Sequence, residues 1–215
     1  MTFLITAGPT REAIDPVRYI SNRSSGKMGY AIAEAALNAG HDVILVSGPV
    51  NLAPPLKSKF ISISTSDEMF DAVHQYANSS DICVLCAAVA DYKPAQVSPV
   101  KIKKSADEFF IELVPTRDIL QSLGRQPARK FLLVGFAAET DELEANARKK
   151  LREKNCDIIV GNDAHVAMES DENELLILFR DDETKRISRA PKKILARELV
   201  KIFLNSQQKS LTKKM

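Results

Sequence analysis
The densest set of reactive side chains lies near the N-terminus. After a strand-like run, Thr2 to Ala7, come Gly8-Pro9-Thr10-Arg11-Glu12, then Arg18, Asn22, Arg23, Ser24 and Ser25, and a helix begins near Gly26. Guanidinium groups, a carboxamide and adjacent hydroxyls set against a helix N-terminus can donate several hydrogen bonds to one anion. In a wound α/β sheet, ligands bind in the crevice beyond the carboxyl end of the first strand. Loops joining a strand to the next helix usually run about 2 to 6 residues, and this one is roughly three times longer. A solvated surface loop with scattered charge is the alternative reading of the same composition.

Two familiar phosphate motifs fail here. Gly26-Lys27 ends like a P-loop, but Met28 stands where Ser or Thr must reach magnesium, and Ser21 occupies the first glycine position. Gly8-Pro9-Thr10 lacks the G-x-G-x-x-G spacing of a dinucleotide fingerprint. Any phosphate held by this loop is held by another geometry.

Two further clusters follow strand-like runs. Ala87-Ala88-Val89-Ala90-Asp91-Tyr92 leads into a segment bearing Lys101, Lys103 and Lys104. Gly135-Phe136-Ala137-Ala138-Glu139-Thr140 precedes a helix with Lys150 and Lys154, which are four apart and share one face. Asn162-Asp163 follows the next strand. In a parallel sheet these strand ends converge. The lysines and loop arginines then form a sink for polyphosphate charge, and small alanines beside Phe136 offer a flat slot for a base. The plainer alternatives are a solvated helix face for Lys150 and Lys154, and lysines guarding an edge strand for 101–104.

The elements that must position these clusters alternate along the chain. A helix over Lys27–Ala39 carries Ile32, Ala35, Ala36 and Ala39 at helical spacing and stops at Gly40. Asp42–Ser47 reads as a buried strand, Lys59–Ser64 as a third, and Thr65-x-x-Glu68 as a capping box opening a helix over Ser66–Asn78. Asp81–Ala88 is the fourth strand. The order β-α-β-β-α-β departs slightly from strict alternation, and Phe131–Ala137, a helix over Glu142–Lys154 and Asp157–Gly161 restore it. The pattern implies an α/β, Rossmann-like fold, a mostly parallel sheet with helices on both faces. Glu174–Phe179 and Lys185–Ser188 flank Asp181-Asp182 as a hairpin, and a helix spans Pro191–Asn205. Within residues 95–115, Val100–Val114 reads as a projecting β-hairpin whose Phe109, Ile111 and Leu113 need something to bury against. One domain over residues 1–205 and a flexible polar tail over 206–215 complete the expectation.

Composition narrows the classes. At 215 residues the chain is long enough for one sizeable α/β domain. Thirty basic and 28 acidic residues leave a net charge of +2, so there is no global nucleic-acid footprint. No apolar run is long enough for a membrane span, and the N-terminus runs straight into a strand without a signal peptide. Three cysteines argue against a disulfide framework and fit a reducing cytoplasm. Cys83-x-x-Cys86 lies in a strand, where residues three apart point to opposite faces, so it is structural rather than a metal or redox pair. His41, His74 and His165 are scattered, with no ligand or triad spacing.

At these clusters the sequence resembles phosphopantothenate–cysteine ligase, the phosphopantothenoylcysteine synthetase of coenzyme A biosynthesis, over residues 2 to about 205. The resemblance rests on Ile5-Thr-Ala-Gly-Pro-Thr-Arg-Glu, Asp15-Pro-Val-Arg-Tyr-Ile-Ser-Asn, Ser24-Ser-Gly-Lys-Met-Gly, Ala87-Ala-Val-Ala-Asp-Tyr, Lys101-Ile-Lys-Lys, Val134-Gly-Phe-Ala-Ala-Glu-Thr and Ser170-Asp-Glu-Asn-Glu. It implies ligation of 4'-phosphopantothenate to L-cysteine through an acyl cytidylate, with CTP as cosubstrate and Mg2+ required. By matching position Asn22 and Lys101 are the catalytic candidates, Asn22 through the acyl-nucleotide intermediate and Lys101 through phosphate. Gly8, Ala87, Asp91, Phe136, Lys150 and Lys154 match nucleotide-binding positions. Thr116-Arg117-Asp118-Ile119 matches a nucleotide-contacting stretch that often reads Asn-Pro-Asp-Ile, so Thr116 and Arg117 depart from it. Ala167-Met168-Glu169 also departs from the family pattern, which often has Phe-Gly there. No protein ligand for the metal is assigned, and Asp91 is the one candidate. The resemblance further implies a homodimer with the hairpin reaching towards the neighbour's site. Because the sequence starts at the synthetase's first strand, it reads as a stand-alone form or an isolated domain, with association with a separate phosphopantothenoylcysteine decarboxylase expected. A dehydrogenase on a similar fold and a non-catalytic nucleotide-binding module are the rivals. The missing G-x-G-x-x-G counts against the first, and Asn22 together with the lysine set counts against the second.

Overall fold
The computed structural model describes residues 1–104, 108–163 and 170–212. Its parallel strands are β1 (Thr2–Ala7), β4 (Asp42–Ser47), β5 (Lys59–Ser62), β6 (Ile82–Leu85), β9 (Leu132–Glu139) and β10 (Ile158–Asp163). They lie side by side in the order β10-β9-β6-β1-β4-β5. An antiparallel pair, β11 (Glu172–Phe179) and β12 (Thr184–Pro191), extends the β10 edge and makes the sheet eight-stranded. Chain direction through the parallel part reverses at β1, so a topological switch point opens between β1 and β6.

The apolar faces divide cleanly. Phe3, Ile5 and Val84 face helices α1 (Lys27–Asn38) and α5 (Lys192–Thr212), with Ile32, Leu199 and Phe203 in the same cluster. Leu4, Val46, Cys83 and Leu133 face the opposite layer, where α2 (Ser66–Ala77), α3 (Ile119–Gly124) and α4 (Leu143–Glu153) supply Met69, Leu123 and Leu151. Each large side chain buried this way contributes about 1.5–3 kcal/mol relative to exposure. Cys83 and Cys86 point into opposite layers, as the strand period requires. Burial pushes the Cys83 thiol well above the usual thiol range.

The capping box at Thr65 forms in full: Thr65 Oγ1 accepts from Glu68 N–H at 3.2 Å and Glu68 Oε2 accepts from Thr65 N–H at 3.0 Å. His41 stacks near Phe3 and His74 near Phe70, while His165 lies outside the described residues.

Four elements differ from expectation. The fourth strand leaves the ladder after Leu85, where Ala87 N–H turns to the Thr6 hydroxyl of β1 and Ala88 pairs with Gly8 and Thr10 of the opening loop. Among the described residues, strand pairing in the excursion over 95–115 is confined to its base, where β7 (Tyr92–Pro94) meets β8 (Leu113–Pro115). Residues 101–104 and 108–112 form no strand, and residues 105–107, the expected turn, lie outside the described residues. The opening loop is not shapeless but holds an antiparallel ribbon of β2 (Arg11–Ala13) and β3 (Tyr19–Ser21). Helix α5 continues to Thr212, past the expected end at Asn205, and buries Gln207, whose amide donates to the Lys130 carbonyl at 3.4 Å.

Candidate active site
The carboxyl ends of β1, β6, β9 and β10 open on one cleft of two lobes, each of about 310 Å³. Ala87, Val89, Asp91, Phe136 and Lys150 line both and form the shared wall.

The first lobe is the lysine side. Thr116, Arg117, Asp118, Ile119 and Lys154 line it with the shared residues, under Thr6 and Met69. Lys150 Nζ donates to the Phe136 carbonyl at 2.8 Å, and Lys154 Nζ pairs with Asp118 at 2.7 Å. Asp118 also caps α3 by accepting from Gln121 N–H at 2.7 Å, which fixes the carboxylate that holds Lys154. Thr116 Oγ1 donates to the Ala90 carbonyl at 2.6 Å, which ties β8 to the loop after β6. Arg117 turns outward to Asp67 and Asp71 on α2 and lies 3.9 Å over the Phe70 ring. Those ion pairs commit its charge to α2.

The second lobe is the opening-loop side. Asn22, Ser24, Ser25 and Lys27 line it together with the N-terminus of α1. Asn22 Nδ2 donates to the Ala88 carbonyl at 3.1 Å, which holds the carboxamide beside the β6 loop. No side chain caps the start of α1, where Gly26 adopts φ +75°, and Gly26, Lys27, Met28 and Gly29 line the lobe. Gly8 does not line either lobe; at φ +73° it turns the end of β1, and its Cα would lie 3.4 Å from a Cβ on Gly26. The two left-handed glycines let the loop and the helix start abut.

Lys101 is exposed and lines neither lobe. Its neighbour Ile102 is clasped by the opening loop: Asp15 Oδ2 accepts from Ile102 N–H at 3.2 Å and Arg18 donates to the Ile102 carbonyl at 2.8 Å. Asp15 is buried and also accepts from the Arg18 guanidinium at 2.5 Å, which holds its carboxyl well below the usual carboxylate range. Arg11 stacks 4.6 Å over Tyr19. Arg11 and Arg18 therefore shape the loop. Glu12 caps α2 by accepting from Ser66 N–H at 2.9 Å.

No sequence signal joins Asn162 and Asn173 to Lys192, yet all three line the second lobe. They come from the end of β10, the start of β11 and the first residue of α5, and only the fold joins them. Among the described residues no group of three or more His, Cys, Asp or Glu side chains could hold a metal. Asp91 is the carboxylate shared by both lobes, consistent with a metal carried in on phosphate oxygens, which takes one or two protein carboxylates. Among the described residues no helix is long and apolar enough to cross a membrane.

Comparison with known proteins identifies the family. Residues 1–206 match the family described as DNA/pantothenate metabolism flavoprotein C-terminal domain. The Coenzyme A biosynthesis bifunctional protein CoaBC of Vibrio vulnificus is 45% identical over 205 residues, covering 93% of this chain and 51% of that protein. The chain spans about half the length of the curated relatives it matches. Among solved structures, the C-terminal domain of a Coenzyme A biosynthesis bifunctional protein CoaBC aligns with a TM-score of 0.80 at 46% identity, over 93% of this chain and 92% of that one. A Cab2 mutant in complex with phosphopantothenate-cysteine aligns at 0.83 over 99% of this chain and 88% of its own, and at 18% identity it shows the fold alone. The chain belongs to the DNA/pantothenate metabolism flavoprotein C-terminal domain family.

Proposed function
We propose that this domain is a CTP-dependent phosphopantothenate–cysteine ligase. The observation that carries the reading is the two-lobed cleft: a lysine-lined lobe and a lobe built on an open helix N-terminus meet at one wall. A nucleoside triphosphate in the first lobe and an acidic acyl substrate in the second would meet at Ala87 and Asp91. The carboxylate of 4'-phosphopantothenate attacks the α-phosphorus of CTP, a P–O bond forms, and pyrophosphate leaves. The amine of L-cysteine then attacks the acyl carbonyl, a C–N bond forms, and the C–O bond to CMP breaks with loss of one proton. Neither step needs a protein nucleophile, so positioning and charge stabilisation carry the rate.

In this reading Lys150 and Lys154 bind phosphates, Phe136 and Ala87 flank the base, and Asn22 donates to the carbonyl oxygen as charge develops there. Asp91 would hold a Mg2+ ion bound with the triphosphate, and that ion would supply charge neutralisation. CTP is preferred over ATP through backbone groups around Ala87 and Phe136. Lys101 acts on the site of a second copy of the chain, because it lies outside its own cleft on an excursion that exposes Val100, Phe109 and Phe110. The assembly is then a homodimer acting in the cytoplasm, alongside a decarboxylase for the product.

The test is pyrophosphate release with CTP, ATP, GTP or UTP, each with phosphopantothenate and cysteine present or omitted. Release with CTP and phosphopantothenate alone supports the reading. No release with any nucleotide overturns it, and equal kcat/KM with ATP overturns the preference.

A further inference from the structure
The second lobe has an inner wall that the reading above does not use. Lys192 is 7% exposed, Asn162 8% and Asn173 4%, and all three line the lobe that Asn22 also lines. Lys192 Nζ donates to the Ser170 carbonyl at 2.7 Å. Burial, and then the nearby Lys27, lower its pKa, while Asp171 opposes the shift. Lys27 is bonded to Asp171 at 2.5 Å, which leaves Lys192 the more desolvated cation of the pair. Asn173 Oδ1 accepts from Glu174 N–H at 2.9 Å, which orients its carboxamide. Among the described residues the Asn162 side chain makes no hydrogen bond to protein. Its carboxamide is therefore available to a ligand in the lobe that Asn162 lines.

We propose that Lys192, Asn162 and Asn173 form the subsite for the α-carboxylate of the amino-acid substrate. The proposal rests on the ligase reading and names how its second substrate is held. One buried cation and two carboxamides match a small monoanion, since a carboxylate takes one charge partner and two or three N–H donors. With its carboxylate on this wall, cysteine presents its amine towards Asn22 and the shared wall, where the acyl carbonyl would lie. Two lysines beside the ammonium lower its pKa and favour the free amine that attacks. The amine adds to the carbonyl, the C–O bond to CMP breaks, and the ammonium's spare proton leaves to water.

The experiment compares L-cysteine with cysteamine, which lacks the carboxylate, in amide formation after the acyl nucleotide has formed. The wild type should favour L-cysteine by at least about tenfold in kcat/KM, the scale of one charge-assisted contact. Lys192→Met should lower kcat/KM for L-cysteine by about 10²-fold and leave cysteamine within about threefold, which collapses the preference. Lys192→Arg should restore part of it. Asn162→Ala provides the same comparison should Lys192→Met not fold, with a rise in KM for L-cysteine alone. An unchanged preference in both variants, or equal losses for the two amines, overturns the assignment. Pyrophosphate release in the wild type separates the two failures: its absence sinks the ligase reading, and its presence with unchanged amine discrimination sinks only this subsite.

Discussion
Gly29 sets the height of the second lobe. It lies in the first turn of α1, where the helix crosses β1. A Cβ at this position would lie 2.6 Å from the Ala7 Cβ and 3.0 Å from the Thr6 carbonyl oxygen. Carbon atoms in contact rest about 3.5–4.0 Å apart, so Gly29→Ala must lift the start of α1 by about 1 Å. Ala7 has no rotamer to yield, and β1 is the central strand of the sheet. Overpacking of this kind costs about 1–3 kcal/mol, or a fall in Tm of about 2–12 °C for a domain of this size. The same displacement carries Ser25, Gly26 and Lys27 away from the shared wall. A shift of about 1 Å in a positioning element can cost about 10²-fold in rate, so kcat/KM for phosphopantothenate should fall by that order. Gly40→Ala is the control, because Gly40 has φ +82° and nothing within 4 Å of its would-be Cβ. It should lose about 1–2 kcal/mol from the left-handed backbone and keep its activity. Thermal melts and steady-state kinetics on both variants decide the matter. Full activity in Gly29→Ala, or equal activity losses in the two variants, would refute the reasoning.

The remaining predictions address separate parts of the structure. Asn22→Asp replaces a donor facing the Ala88 carbonyl with a negative charge, so acyl cytidylate should still form while amide formation falls at least about 10²-fold; an equal fall in pyrophosphate release would place Asn22 in the first step. Asp15 is held ionised by Arg18, so its stabilisation is full above about pH 4 and is lost as pH falls through its depressed folded value. The Tm gap between wild type and Asp15→Asn should therefore be largest near neutrality and shrink in strong acid; a gap that is constant with pH would contradict the clasp. Truncation after Asn205 removes buried Gln207 and the last turns of α5, and should lower Tm, whereas a frayed tail would leave it unchanged. Lys101→Gln should lower kcat by about 10²-fold if it serves a neighbouring site, and mixing it with Asn22→Asp should recover part of the activity through hybrid dimers; no recovery would place Lys101 elsewhere.

Much of the fold was legible because its signals are local. Apolar runs mark the buried parallel strands, Thr65 and Glu68 mark a helix start, and Gly40 marks a helix end. The excursion was misread because alternation of apolar and charged residues says nothing about where backbone groups find partners. Ile102 gives its N–H to Asp15 and takes its carbonyl's donor from Arg18, so that stretch has no cross-strand ladder to join. The tail reads as frayed because its residues are polar, while Gln207 is buried and bonded to the Lys130 carbonyl, a partner 77 residues away in sequence. In the cleft, residues following parallel strands were predictable as neighbours, and Ala87, Asp91, Phe136, Lys150 and Lys154 do meet. Gly8, Lys101 and the Arg117 side chain carry other work in this chain: a backbone turn, a clasped excursion and ion pairs to α2. Asn162 was visible at a strand end and Asn173 inside a family motif, but nothing in the sequence joined them to Lys192, because no periodicity connects an edge hairpin to the helix after it.

The central claim is that one cleft performs two sequential transfers through an acyl nucleotide. Its most direct test is a single-turnover reaction with enzyme in excess over CTP and phosphopantothenate, quenched and analysed by mass spectrometry before and after cysteine is added. The account predicts acyl cytidylate and stoichiometric pyrophosphate before cysteine, then conversion of that intermediate to the amide and CMP. Pyrophosphate appearing only after cysteine, or CDP and phosphate in place of CMP and pyrophosphate, would contradict it.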